Sequence, residues 1–340
     1  MASVRDIRRR IKGVKATGKI TRAMEMISAV KMRKAVAQVV AIRPYAESVL
    51  DMLHQLSVLE QGGAHPLLLE RPIRTQLYVV ISSNRGLCGG FNSQIVKKLR
   101  QTLKEDDGRP ARFITIGKKA DASVRRIIAG KDGDASTLIA SFADILGTPS
   151  VALMRPVANV LIGEFEAGRV DRVVMIYTDF KSMLSQEVKV RALLPVTERD
   201  VHKALHEIDR MSEVKERKMT AEYVIEPSPK KVLWKMIPRL IEMELYHGVL
   251  ESNASQEASR MLAMRNATDA AKEMVGDLTL AYNQIRQGKI TQEIAELSAG
   301  MAAVTKYRSE NLEFGIRNLE YITRRYEEKG INQHRPERAH

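Results

Sequence analysis

The sequence has very little cysteine and few aromatic residues. Cys88 is the single cysteine among 340 residues, so an intramolecular disulfide is impossible and no oxidising compartment is indicated. Aromatic residues make up 5%, and no run of about 18 apolar residues exists that could span a membrane. The basic N-terminus lacks a continuous apolar stretch behind it, which argues against a secretory signal. We therefore expect neither a disulfide-stapled secreted domain nor a membrane-spanning chain.

The residues that are abundant favour long helices and an acidic partner. Apolar residues make up 44% and charged residues 28%, with 16 methionines, which together are typical of a folded, helix-rich protein. Lys and Arg number 55 against 41 Asp and Glu, a formal net charge of +14. This charge favours nucleic acid, anionic lipid or an acidic protein surface as a partner, and its sign alone does not choose among them.

The stretch from Glu257 to Met301 has the pattern of one long helix. Mostly apolar residues recur in it at alternating steps of three and four, the seam spacing of a left-handed coiled coil. The predicted seam positions are Met261, Met264, Thr268, Ala271, Val275, Leu278, Tyr282 and Ile285. A seam of this kind requires a partner helix, and the other end of the chain offers one.

Residues 2–60 are the candidate partner helix, with a bend expected at Pro44. About sixty helical residues would extend about 90 Å, too long to be enclosed in an ordinary domain. We predict that the two ends pair as a long antiparallel coiled coil. The apolar pattern breaks around Thr17–Gly18, so its expected positions are Val4, Ile7, Ile11 and Val14, then Ile20, Met24 and Ile27.

The middle of the chain alternates strands with helices, which predicts a Rossmann-like α/β domain with a largely parallel sheet. Expected helices cover Asn92–Leu103, the residues after Gly117, and about 149–166. The predicted organisation is a coiled-coil helix over 1–60, the α/β domain over 70–225, a second coiled-coil helix over 228–304 and an extension over 305–340. The expected strands are Gln76–Ser82, Arg112–Ile116, Arg172–Asp179 and Gln186–Val196, with Tyr223–Ile225 as a weaker candidate.

Three features of this middle region are candidate chemical sites. The turn NRGLCGG lies between a strand and a helix, yet it has neither the Gly-Lys-Ser/Thr of a P-loop nor the spacing of a dinucleotide fingerprint, so a tight connection is the favoured interpretation. Cys88 has no base supplied by any signature and is expected to be an inert core thiol. His202 and His206 have helical metal-ligand spacing without a third ligand, and surface histidines are the default.

Positive charge collects in the N-terminal segment. Eleven basic residues lie between Arg5 and Lys34, against the acidic residues Asp6 and Glu25. The run is either a solvated helix face or a contact surface for an acidic partner. Nucleic acid is disfavoured because aromatic residues are not interleaved with the charges and no nucleic-acid module is matched.

Several motifs closely resemble the gamma subunit of F-type ATP synthases. They are IRRRIKGVKATGKITRAMEMISAVKMRKA with RPYAE, the turn SSNRGLCGGFN, LYHGVLESNASQEASRMLAMRNAT and LTLAYNQIRQGKITQEIAEL. The resemblance covers about residues 1–304 in collinear order and is weakest over about 105–225. It implies a rotor shaft that turns inside a hexamer of alpha and beta subunits and couples a membrane proton channel to the synthesis and hydrolysis of ATP.

The resemblance also implies particular partner contacts. Arg286 and Gln287 match the family's RQ pair, which contacts a loop of a catalytic subunit, and Met24, Lys31 and Arg33 match the segment that faces the acidic lever of those subunits. The implied partners are the alpha and beta subunits, the epsilon subunit and the membrane c-ring, with no catalytic residue, cofactor, metal, small-molecule ligand or nucleic acid. The implied location is peripheral, on the cytoplasmic face of the bacterial cell membrane.

The chain departs from the family pattern in two places. Family members end soon after the motif SAGMAAV at 298–304, whereas this chain continues for 36 residues, in which Leu312, Ile316, Leu319 and Ile322 could form one apolar helix face. Asn84 stands where the family more often has Asp. Two alternatives remain: a basic coiled-coil adaptor for nucleic acid or anionic membrane, and a nucleotide-binding enzyme in the α/β domain.

Overall fold

The computed structural model describes residues 4–59, 65–106, 108–130, 136–147, 149–196, 226 and 228–328. The chain forms two compact units, one made of Met1–Ala16 with Ala271–His340 and the other of Thr17–Ala270. The weak strand candidate Tyr223–Ile225 and the pair His202 and His206 lie outside the described residues.

The unit Thr17–Ala270 contains a five-stranded sheet with the order β3-β2-β1-β4-β5. β1 pairs in parallel with β2 and β4, and β2 pairs in parallel with β3, while β5 is antiparallel to β4. The mostly parallel sheet confirms the predicted Rossmann-like domain, and β3 is a strand that the sequence reading missed. The strands are β1 Gln76–Ile81, β2 Ala111–Ile116, β3 Thr137–Phe142, β4 Arg172–Phe180 and β5 Gln186–Leu194.

Helices cover both faces of the sheet. On one face, α2 (Phe91–Glu105) and α3 (Lys118–Ala129) pack on Tyr78 and Val80 of β1. On the other face, α4 (Val151–Glu166) and part of the C-terminal helix pack on Leu77, Val79 and Ile81 of the same strand. Because both faces of β1 are buried, its sequence is a continuous apolar run without alternating polar residues.

The two longest helices are α1, Val4–Leu59, and α5, Pro229–Glu328. α1 continues past Pro44, and α5 continues past Val304 to the end of the described chain. Arg8 lies over the ring of Tyr282, with 5.8 Å from Cζ to the ring centroid, and the hydroxyls of Thr21 and Thr268 are 2.8 Å apart. Residue numbers thus rise along α1 as they fall along α5, which is the predicted antiparallel pairing.

The α5 side of the seam agrees with the prediction from Met261 to Tyr282, whereas its last predicted position, Ile285, is 37% exposed. The second half of the predicted α1 side is wrong. Ile20 and Ile27 are 61% and 55% exposed and do not lie in the seam. The heptad continues without a break through small and polar residues, which the search for apolar residues overlooked. The positions on α1 that are buried or half-buried at alternating steps of three and four are Val4, Ile7, Ile11, Val14, Gly18, Thr21, Glu25, Ser28, Met32, Ala35 and Val39.

A buried hydroxyl pair sets the register of the seam in this unit. Thr21 and Thr268 are both buried, and their Oγ1 atoms are 2.8 Å apart. One of the two hydroxyls donates across the seam, and the other accepts that bond and donates to a carbonyl of its own helix, Gly18 for Thr21 or Met264 for Thr268. A shift of one helix along the other would leave both hydroxyls without their partner across the seam, so the pair favours this one alignment.

We expect Thr21→Val and Thr268→Val each to lower the free energy of unfolding by about 1 kcal/mol, because each leaves one buried hydroxyl without its partner across the seam. The double variant should lose less than the sum of the two, since each single variant already removes the bond across the seam. Urea unfolding of the full chain measures all three. Thr279→Val is the matched control, since Thr279 also donates to a carbonyl one turn earlier but is exposed. Strict additivity would contradict the pair.

Candidate partner-binding site

The crevice in which open α/β sheets bind ligands is occupied by α5. The chain order of the strands reverses between β1 and β4, and ligands bind beyond the carboxyl ends of strands at such a point. Ser255 of α5 donates to the Thr178 carbonyl of β4 at 3.3 Å. Gly89, in the turn after β1, would place a Cβ 3.7 Å from that of Ala263. The chain's own helix therefore covers this position.

The Gly-rich turn is a tight connection whose polar groups are used internally. Ser83 donates from its hydroxyl to the Asn92 side chain at 2.8 Å and lies 2.7 Å from the Arg85 carbonyl. Leu87 and Gly89 have positive φ values of 61° and 55°. Cys88 is buried in the core on the α2 side, where its Sγ accepts from Asn92 Nδ2 at 3.1 Å. This burial agrees with the predicted core thiol.

The part of the chain that the structure describes has no metal-binding cluster: three or more His, Cys, Asp and Glu side chains are nowhere gathered to hold an ion there. Within the same residues, none of the helices combines the length and apolarity that crossing a bilayer requires.

One exposed surface that could bind a partner is the α1 outer face, which we define as Ile20, Met26, Ile27 and Val30 with Lys31 and Lys34. The four apolar side chains are more than half exposed, although helix α1 already buries its seam residues. Both lysines are exposed as well. Exposed apolar side chains rimmed by one sign of charge are typical of a protein-binding surface, here one suited to an acidic partner.

A second exposed surface is the α5 distal face, which we define as Ile290, Ile294, Leu297, Met301 and Val304. These residues are exposed and recur at alternating steps of four and three, the same spacing as the seam. In their unit, the Arg8–Tyr282 contact and the heptad spacing place Val4, the first described residue of α1, opposite Ile285. The α5 distal face begins five residues after Ile285, so it lies about 140° around the helix from that seam position and is a separate apolar stripe.

The structure divides the predicted contact residues into separate groups. Met24 is half-buried beside the seam and Lys31 is exposed, and since they are seven residues apart they share one side of α1. Arg33 is exposed about 200° around the helix from Lys31, so it does not belong to the same surface. Arg286 and Gln287 are exposed on α5 directly after the last seam position.

Comparison with known proteins identifies the family. A family model described as ATP synthase matches residues 3–304. The ATP synthase gamma chain of Moorella thermoacetica is 37% identical over 304 residues, which are 89% of this chain and 100% of that protein. That of Herpetosiphon aurantiacus is 40% identical over 319 residues, 90% of this chain and 100% of that protein. The chain belongs to the ATP synthase gamma-chain family.

Solved structures agree with this assignment. The central stalk and c-ring structure of the mitochondrial ATP synthase of Tetrahymena thermophila contains a chain with a TM-score of 0.53 and 27% identity, covering 73% of this chain and 99% of that one. The rotor of the Euglena gracilis enzyme, at 19% identity, supports the fold alone, with a TM-score of 0.56 and coverage of 84% and 98%. The chain is a rotor subunit of the ATP synthase central stalk.

The family match does not reach the end of the chain. The matched region ends at residue 304, whereas α5 continues as helix to Glu328. In this extension of α5, the four predicted face residues Leu312, Ile316, Leu319 and Ile322 are all exposed. Phe314 and two tyrosines, Tyr307 and Tyr321, form a second exposed row at steps of seven. The extension therefore presents apolar side chains on two sides of one helix.

A charge introduced on the α1 outer face should affect stability much less than a charge introduced in the seam. We expect Ile27→Asp to change the free energy of unfolding of the isolated chain by no more than about 0.5 kcal/mol, because Ile27 is exposed. Met32→Asp should cost several kcal/mol, since Met32 is 6% exposed within the seam and a carboxylate there is removed from water. Thermal and urea unfolding measure both. Equal losses would mean that Ile27 packs within the chain.

Proposed function

We propose that this chain couples ion flow through a proton-translocating membrane sector to the synthesis and hydrolysis of ATP by rotating inside the catalytic hexamer of an F-type ATP synthase. Its own role is mechanical, and the catalytic sites belong to other subunits. The proposal extends the family membership from a place in the central stalk to a mode of action.

The observation that carries this proposal is the α5 distal face, an apolar stripe at heptad spacing that no helix among the described residues covers. It begins at Ile290, beyond the seam position Ile285, and its side chains are exposed through Val304. Apolar side chains at seam spacing gain free energy only when another surface removes them from water. A surface of surrounding subunits fits this requirement, as the relatives' assemblies suggest.

Specific contacts are proposed at both surfaces. Arg286 and Gln287 stand at the start of the uncovered part of α5, where an exposed guanidinium and amide can bind a loop of a catalytic subunit. On α1, Lys31 belongs to the α1 outer face and Met24 adjoins it, and both are proposed to meet an acidic segment of those subunits. Arg33 points away from this face and would contact a different subunit or a different part of the same one.

The proposed partners are the alpha and beta subunits of the hexamer, the epsilon subunit and the membrane c-ring. The similar solved structures are of a central stalk, a rotor and a c-ring, which supports partners of this class. The proposed location is peripheral, on the cytoplasmic face of a bacterial cell membrane, because the relatives at 37% and 40% identity are bacterial proteins. No cofactor or small-molecule ligand is part of the proposal.

Charge reversal at Arg286 should uncouple the reconstituted complex. Arg286→Glu is expected to lower proton-driven ATP synthesis at least about fivefold, the effect of losing about 1 kcal/mol of interface free energy. The stability of the isolated chain should not change, because the side chain is exposed. Arg324→Glu is the control, an exposed arginine on the same helix beyond the family match. Synthesis at the normal rate with Arg286→Glu would reject the contact.

Removal of the extension should spare the core function. A chain that stops after Val304 should still assemble with alpha and beta subunits and support coupled synthesis within about twofold of the full chain, because the family match is complete at residue 304. Co-purification of the complex and synthesis in vesicles measure this. If the shortened chain fails to assemble, the extension is an integral part of the shaft and the family-derived boundary is wrong for this protein.

A further inference from the structure

Basic residues dominate the outer side of the two helices that cover one face of the sheet. α2 and α3 together carry eight basic residues and two acidic ones. Seven of the basic residues are exposed, and we call these seven the α2–α3 basic face. They are Lys97, Arg100 and Lys104 of α2 with Lys118, Lys119, Arg125 and Arg126 of α3. Positive charge is therefore concentrated on the α/β domain as well as along α1.

Both helices direct these charges away from the sheet. In α2, Ile95 and Leu99 are buried in the core, and Lys97 lies about 160° around the helix from each of them. In α3, Arg126 lies at the same angle from the buried Val124. Because α2 and α3 pack on the same face of the sheet, their outer sides point into the same solvent. The basic residues thus form one flat layer, about 22 Å long along α2.

The acidic residues of the two helices leave most of this charge uncompensated. Asp121 is paired with Arg125 at 2.9 Å, and Glu105 Oε1 accepts from Gln101 Nε2 at 2.9 Å. Within the described ranges, the other six residues of the α2–α3 basic face form no ion pair. Like charges held side by side repel one another, so an anionic surface that approaches this layer lowers its electrostatic free energy.

The composition of the face favours lipid headgroups as the anionic surface. The exposed residues beside the charges on α2 and α3 are serine, glutamine and alanine, whereas the α1 outer face combines its lysines with four apolar side chains. Protein interfaces have an apolar centre, and single-stranded nucleic acids stack on aromatic side chains. A flat layer of long, flexible cations instead matches a plane of phosphate groups, which a basic run wound around a single helix such as α1 matches less well.

We propose that the α2–α3 basic face binds the anionic headgroups of a membrane surface. The choice of lipid rests on the proposed peripheral location, since the cytoplasmic leaflet has a negative surface potential. Each lysine or arginine near such a surface strengthens binding about fivefold. The contact is charge attraction to a fluid surface without fixed partners, so it persists while the chain turns relative to the lipid.

Sedimentation of the full chain with vesicles of phosphatidylcholine containing about 30% phosphatidylglycerol, in about 0.1 M salt, tests the proposal. Lys97→Glu combined with Lys119→Glu should weaken binding at least about 25-fold, because two attractive charges near the surface are lost. The matched control is Arg308→Glu combined with Arg324→Glu, the same change in net charge on the extension of α5, where five basic residues are balanced by five acidic ones. It should stay within about threefold of the wild type, less than the effect of one such charge.

Three results would overturn the proposal. The first is equal loss in the two double variants, which would mean that net charge alone attracts the chain. The second is unchanged binding when the α2–α3 basic face carries the substitutions. The third is a larger loss for Arg9→Glu combined with Lys15→Glu, which would assign the binding to α1. The chain is tested without its partner subunits, so failure here leaves the coupling role standing, and failure of the Arg286→Glu test leaves this binding standing.

A second measurement locates the contact without reversing any charge. A dye attached through Gln101→Cys, on the exposed side of α2, should be quenched by a nitroxide on the lipid headgroup, because Cys88 is buried and does not compete for the label. The same dye attached through Ser309→Cys, on the extension of α5, should not be quenched. Equal quenching at both positions, or quenching at residue 309 alone, contradicts the proposal. If the charge reversal at Lys97 and Lys119 abolishes binding of duplex DNA and leaves vesicle binding unchanged, the face binds nucleic acid and the proposal is wrong.

Discussion

The close approach of α5 to the sheet depends on the missing side chain of Gly248. A Cβ at this position would lie 2.6 Å from Met175 Cε and 2.7 Å from Met175 Sδ of β4, and 3.6 Å from Ile81 of β1. Met175 is completely buried, so its side chain has little room to move aside. Because the helix passes at this distance, its apolar residues from Ile237 to Val249 belong to the same core as the strands. This part of α5 and the α/β domain therefore share one core.

The ion pairs between α5 and the α/β domain orient the helix more than they stabilise it. Arg155 of α4 reaches Glu242 of α5 at 3.4 Å, and Arg191 of β5 reaches Glu244 at 2.8 Å. Partly exposed pairs contribute little net free energy, whereas a buried aliphatic side chain contributes about 1.5–3 kcal/mol. Apolar burial therefore contributes most of the free energy that keeps α5 packed on the sheet. The pairs come from different elements on both sides of α5, and they limit rotation of the helix about its axis.

Sequence patterns predicted the elements whose buried positions are occupied by apolar residues. Leu77 to Ile81 is apolar throughout because both faces of β1 are covered, so the strand was recognised. β3, at the edge of the sheet, has partly exposed residues, and its mixed sequence TLIASF gives a weak strand signal. The α5 seam was recognised because it is mostly apolar. The search for apolar residues missed the α1 seam at Gly18 and Thr21, where small and polar residues allow close contact and a hydrogen bond across the seam.

The candidate partner site was less predictable because exposure depends on pairing that the sequence does not display. Ile20 and Ile27 look like core residues in isolation, and only the true register of the seam turns them outward. For Lys31 and Arg33, the family resemblance named both residues, but helix geometry separates them by about 200°. A motif thus identifies a segment that binds, whereas the side of the helix that binds follows from the packing of the other side.

The side chains that define the α5 distal face form no hydrogen bonds or ion pairs, and this affects how the face can contact a partner. Its side chains are aliphatic or thioether groups, from Ile290 to Val304, and their burial is favourable without any fixed orientation. A contact built from hydrogen bonds or ion pairs would have to break each bond as the helix turned against its surroundings, at about 0.5–1.5 kcal/mol for every neutral bond. An apolar contact changes much less in free energy between orientations. Arg286 and Gln287, the residues proposed to contact a catalytic subunit, stand just before this apolar face begins.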